Sequence, residues 1–131
     1  MVGNQKGFTL IELVVVIVIL GILAAVAVPK FVDLSTEANA AALQSTQGSM
    51  NSAMAINYAG CAVKNNVVTA NKCVAITNCN TVASLLTGGI PSGYTVGSLV
   101  ITAPAGTTQT CVITQTATTL TANFTGIYAG P

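Results

Sequence analysis

Gly7-Phe8-Thr9-Leu10-Ile11-Glu12 runs directly into Leu13-Val14-Val15-Val16-Ile17-Val18-Ile19-Leu20-Gly21-Ile22-Leu23-Ala24-Ala25-Val26-Ala27-Val28. From Phe8 to Val28 the only charged side chain is Glu12. As a helix rising about 1.5 Å per residue, the stretch spans about 30 Å, the thickness of one bilayer hydrocarbon core. Val and Ile are modest helix formers in water. In lipid that matters little, because a helix is how a single segment satisfies its own backbone. A carboxylate at the front of such a span costs about a few kcal/mol unless something pairs with it. The reading of the chain turns on what that partner is.

The rest of the composition narrows the function. Only 5% of the 131 residues are charged, against about a quarter in an ordinary soluble domain. The acids are Glu12, Asp33 and Glu37, and the bases are Lys6, Lys30, Lys64 and Lys72, with no His, Arg or Trp. Nothing from Ala38 to Pro131 carries a negative side chain. Without a basic cluster, a phosphate-tracking nucleic-acid site is not expected. Without His or late carboxylates, acid–base catalysis has no visible machinery, so the chain is read as a non-enzyme. Calcium sites need several oxygen ligands, usually carboxylates, and no metal site or cofactor is read here.

Cys61, Cys73, Cys79 and Cys111 all follow the apolar span. An even count in a short exported chain reads as two disulfides, and the absence of any C-x-x-C pair weighs against zinc or redox chemistry. Three connectivities are possible. The one taken is Cys61–Cys73, closing a short loop, with Cys79–Cys111, tying that loop to a central strand.

An ordinary signal peptide is the competing reading of the N-terminus, with Lys6 before an apolar run and Ala25-Val26-Ala27 as a small-residue cleavage site. Glu12 and the continuation of the helical pattern past Ala27 oppose it. The motif Gly7-Phe8-Thr9-Leu10-Ile11-Glu12, joined to an uncharged span, resembles the class III leader of type IV pilins and the related secretion pseudopilins. The resemblance is close from residue 6 to about 34, including Gly21 and Pro29, and weak afterwards. It implies cleavage between Gly7 and Phe8 by a prepilin peptidase, N-methylation of Phe8, and insertion in the bacterial inner membrane. Assembly machinery then builds a homopolymer, an extracellular filament, through Phe8, Glu12, Gly21 and Pro29.

The resemblance also supplies a partner for Glu12. Cleavage leaves a positive amine on Phe8, one helical turn from Glu12 on the same face. A helix N-terminus favours a carboxylate in any case. In a filament the pair is implied to form between neighbouring subunits and to set their register.

The fold expected is α+β, the type IV pilin fold: residues 1–7 a leader, 8–29 a membrane and filament-core helix, 30–60 an amphipathic continuation, and 61–131 a disulfide-containing β-rich head. Pro29 lacks an N–H and implies a kink or local melting between Gly21 and Pro29. Val32, Leu43, Met50 and Met54 share one helical face, with Thr36, Gln47 and Tyr58 alongside, and Gly60 is the expected stop. The methionines are read as core rather than a metal site. Val82 to Leu86 fits either a helical turn or a strand. Strands are expected at Tyr94–Ala103, Thr110–Thr116 and Leu120–Ile127, as an antiparallel meander packed on the helix. Asn123-Phe124-Thr125 is a formal glycosylation triplet, read as an ordinary strand sequence.

The expected function is therefore a structural pilus subunit serving adhesion, motility or DNA uptake. By resemblance it is a small cysteine-containing major pilin, of the mannose-sensitive-haemagglutinin kind. A type II secretion pseudopilin and a secreted or anchored binding module released near Ala27 are the alternatives.

Overall fold

The computed structural model describes Gly3 and residues 6–131, with side chains except at 28–33. The Pro29 ring and Val32, the first residue expected on the packed stripe, thus lie outside the described side chains. The chain divides into two units, residues 1–38 and 39–131. The α-helix α1, Leu10–Val63, supplies most of the first unit and the opening of the second. Its backbone stays helical through Gly21 and Pro29, so the local melting expected there is not a property of the single chain. Proline removes one hydrogen bond of the ladder, and the turns on either side remain formed.

Among the described residues of the first unit, nothing buries the helix from Leu10 to Ala27. The window Leu10–Ala27 has a mean hydropathy of 3.1 and none of it is buried, so by length and composition it is able to cross a membrane.

The second unit is built on one stripe of α1. Leu43, Met50, Met54, Asn57 and Cys61 are all buried, at steps of seven, four, three and four residues, which repeat one face of a helix. Against this stripe packs a three-stranded antiparallel sheet, in the order β1 (Tyr94–Val96), β2 (Thr108–Gln115) and β3 (Thr121–Ile127). The fold class is α+β. Cys111 stands opposite Phe124 in the register, and Cys111, Ile113 and Phe124 turn inward to join Met50 and Met54 in the core.

Between helix and sheet, Asn78 caps a 3-10 helix, Cys79–Leu85, its Oδ1 accepting from the Thr81 N–H at 3.3 Å. That resolves the Val82 segment as helical, with Val82 buried. Cys61 is bonded to Cys73 and Cys79 to Cys111, and all four sulfur-bearing residues lie in the core.

β2 and β3 lie within two residues of their expected bounds, whereas the end of the first strand and the end of the helix differ by more. The first strand ends at Val96 rather than Ala103. Beyond Gly97 the chain leaves the sheet: the Ile101 N–H donates to Thr77 O at 2.8 Å, and Leu99 O accepts from the Cys79 N–H at 2.9 Å. The helix passes Gly60 and ends at Val63. There the Asn66 N–H donates to Cys61 O at 2.8 Å and the Asn65 N–H to Ala62 O at 3.2 Å. Asn65 takes the left-handed conformation with φ 53°, completing a Schellman cap. Gly60 has a different task. A Cβ there would lie 2.1 Å from Lys72 O, so glycine is what lets the Cys61–Cys73 loop lie on the helix.

Two polar anchors fix α1 to the head. The Asn57 side chain donates to Val74 O at 2.8 Å and accepts from the Val74 N–H at 2.9 Å, which makes a buried amide act as a short strand partner. Along the outer edge of β3, Gln47 Nε2 donates to Asn123 O, and the Thr125 N–H donates to Asn51 Oδ1 at 2.8 Å. Gln47 and Asn51 are one turn apart, so successive turns of the helix occupy an edge otherwise open to another strand.

Candidate functional site: the N-terminal motif

The helix starts immediately after Thr9, and the reason is local. The Thr9 N–H donates to Glu12 Oε2 at 2.9 Å, and the Glu12 N–H donates to Thr9 Oγ1 at 3.4 Å. This reciprocal pair is a capping box, in which a Thr at the N-cap and a Glu three residues on satisfy each other's backbone donors. The motif T-x-x-E before an apolar run is legible in the sequence, yet attention to the acid as partner of an amine passes over Thr9. Glu12 is therefore engaged within the uncleaved chain, and its second carboxylate oxygen keeps its accepting capacity.

Phe8 is 91% exposed. Its ring and Glu12 line one shallow cleft of about 370 Å³ with Ile11, Val15 and Val16. The structure thus brings Phe8 and Glu12 onto one side of the helix start. A Cβ at Gly7 or Gly21 would meet nothing within 4 Å, so no contact among the described residues requires glycine at either place. Gly7 lies outside the helix, next to Phe8, where backbone is open to approach.

The remaining candidates sit elsewhere. The four cysteines are structural and buried in the head. Among the described residues no group of three or more His, Cys, Asp or Glu is placed to hold a metal. Asn123 is exposed on β3 with its own carbonyl bonded by Gln47.

The outward face of the sheet is almost entirely hydroxyl and amide. Thr95, Thr114 and Thr121 stand in one rank, Thr110 faces Thr125, and Val112 faces Asn123. Threonine suits a half-exposed pleated surface, and here it takes the place that charge usually holds.

Comparison with known proteins agrees with this N-terminal geometry. The family model for the prokaryotic N-terminal methylation motif matches residues 3–28. The chain is 58% identical over 53 residues to the type IV narrow pilus major component PilA5 of Thermus thermophilus, covering 40% of this chain and 46% of that one. It is 44% identical over 50 residues to the type IV major fimbrial protein FimA of Dichelobacter nodosus, covering 38% and 32%. With the type IV major pilin protein PilE1 of Neisseria gonorrhoeae it shares 65% identity over 34 residues, 26% and 21% of the two chains. The chain thus spans less than half the length of these curated relatives. No solved structure matches it significantly. The chain thus carries the prokaryotic N-terminal methylation motif, and over its N-terminal residues it is similar to type IV pilins.

Proposed function

We propose that the protein is a structural subunit of a type IV pilus. A prepilin peptidase removes residues 1–7 between Gly7 and Phe8, and Phe8 is N-methylated. Residues 8–29 hold the subunit in the bacterial inner membrane until the assembly machinery draws it into an extracellular homopolymer. Residues 30–60 carry the helix on under the head, and 61–131 complete a disulfide-bonded head that faces outward.

The observation that carries this reading is the wholly uncovered apolar helix with an acid in its first turn. Among the described residues the apolar surface from Leu10 to Ala27 is not buried by the rest of the chain, which leaves it for lipid. In a fibre, side-by-side packing of such helices replaces lipid contact with protein contact. Glu12 then gains the neighbouring Phe8 amine. A charge left unpaired in that interior costs several kcal/mol, so the pair acts as a register pin. Gly21 offers a small residue for close approach, and Pro29, which lacks an N–H, leaves the helix ladder one hydrogen bond short for local adjustment. The head, nearly free of charge, coats the fibre with threonine, serine and asparagine.

Electron microscopy and immunoblotting of sheared surface fibres test the proposal. The chain is expected as the main component of long fibres. Its confinement to short periplasmic assemblies would instead make it a secretion pseudopilin.

A further inference from the structure

The second unit holds an open groove of about 900 Å³ that no segment of the described chain fills. One wall is the face of α1 bearing Ser45, Gly48, Ser49 and Ser52, and the other includes Lys72 and Leu85. From Ser45 to Ala53 the helix wall is made of small side chains, with Ile56 and Asn57 only at its far end, so another helix can approach its backbone closely along that stretch.

The charges point to the occupant. Lys72 is exposed, and neither it nor Glu37 forms an ion pair among the described residues. From residue 8 onward the sequence has three lysines and three acids, and residues 39–131 carry only Lys64 and Lys72. In a homopolymer, then, any side-chain carboxylate reaching Lys72 beyond the Glu12 region must come from Asp33 or Glu37 of another copy. Glu37 is followed by Ala38-Asn39-Ala40-Ala41-Ala42, a run as slender as the groove wall. Six helical residues fill a cylinder about 9 Å long and about 10 Å across, near 700 Å³ in order of magnitude, which the groove is large enough to seat.

We infer that this groove receives the helix of a second copy over residues Glu37–Ala42, with Glu37 placed against Lys72. The inference rests on the filament reading above. It adds a contact of the head that selects the axial position of a neighbour independently of Glu12. Complementary charges chiefly fix register and exclude wrong placements, and like charges in the same place cost several kcal/mol.

Charge exchange tests it in fibres. Lys72→Glu and Glu37→Lys are each expected to lower sheared-fibre yield by about tenfold or more. The double exchange is expected to restore yield to near wild type, and Lys64→Glu to leave it unchanged. Membrane levels of each variant report whether the subunit itself is stable. As a second measurement, a Glu37→Cys/Lys72→Cys chain is expected to give disulfide-linked multimers in fibres on non-reducing gels, and Glu37→Cys/Lys64→Cys none. Wild-type yield for both single variants, a double variant no better than either, or cross-linking through position 64 instead overturns the inference and leaves the filament reading standing. Absence of the wild-type chain from fibres overturns both.

Discussion

Thr9 and Glu12 cap each other at the start of the apolar helix, each supplying the acceptor for the other's backbone N–H, at 2.9 Å and 3.4 Å. Glu12 therefore has two separable roles. In the single chain it closes a helix end, and in the proposed fibre it meets a neighbour's amine. The two roles differ in energy, so substitutions can separate them.

Thr9→Ala removes the capping acceptor and leaves the carboxylate. The loss of an N-cap costs about 1 kcal/mol, a factor of about five in a two-state population. Fibre yield is expected to fall within that factor, while membrane insertion stays intact by fractionation.

Glu12→Ala removes both roles. It is expected to insert as well as wild type or better, since the span loses its only charge. Assembly should fail by well over tenfold, because a buried amine left without its partner costs about 3–5 kcal/mol and each 1.4 kcal/mol is about a factor of ten. Quantitative blotting of membranes and sheared fibres separates the two effects.

Asn57 is the anchor of the loop on the helix. In Asn57→Ala, the half-buried Val74 loses both of its hydrogen bonds to the Asn57 side chain. Buried groups left unsatisfied cost about 1–3 kcal/mol each; at the lower end of that range, because this site is half-buried, a loss of about 2–3 kcal/mol is expected in urea unfolding of the purified chain, followed by tyrosine fluorescence.

Gly126 faces the core beneath a disulfide. A Cβ there would lie 2.6 Å from both Cys111 Sγ and Ile101 Cδ1. Gly126→Ala is expected to cost about 1–3 kcal/mol by overpacking, read as a lower melting temperature with the helix content retained by circular dichroism.

The edge of β3 is guarded by side chains rather than by charge. Gln47→Ala with Asn51→Ala frees Asn123 O and the Thr125 N–H. The double variant is expected to self-associate through that edge, seen as rising light scattering at concentrations where wild type stays clear.

These cases also show which parts of the molecule the sequence discloses. The apolar span, the Leu43–Met50–Met54 stripe and the three strands are legible because each follows a period or is bounded by turn residues. The early end of β1 is not, because Leu99 and Ile101 alternate as a strand would and leave the sheet only to pair with Cys79 and Thr77. Gly60 reads locally as a helix stop, and only the approach of Lys72 reveals otherwise. Asn57, Gln47 and Asn51 look like ordinary polar helix residues until their backbone partners, 17, 76 and 74 positions away, are in place. At the site itself, Gly7, Phe8 and Glu12 stand out by motif. Thr9 carries an equally legible signal, the T-x-x-E capping box it forms with Glu12.

The central claim is that cleavage falls after Gly7, so that the apolar helix is kept rather than cut away. Intact-mass spectrometry with N-terminal sequencing of the protein from membranes or fibres tests it most directly. The account predicts a mature chain beginning at Phe8, heavier by one CH2 than the unmodified chain because a methyl group replaces an amine hydrogen, and retaining the whole span through Val28. A mature chain beginning at Val28 would contradict it.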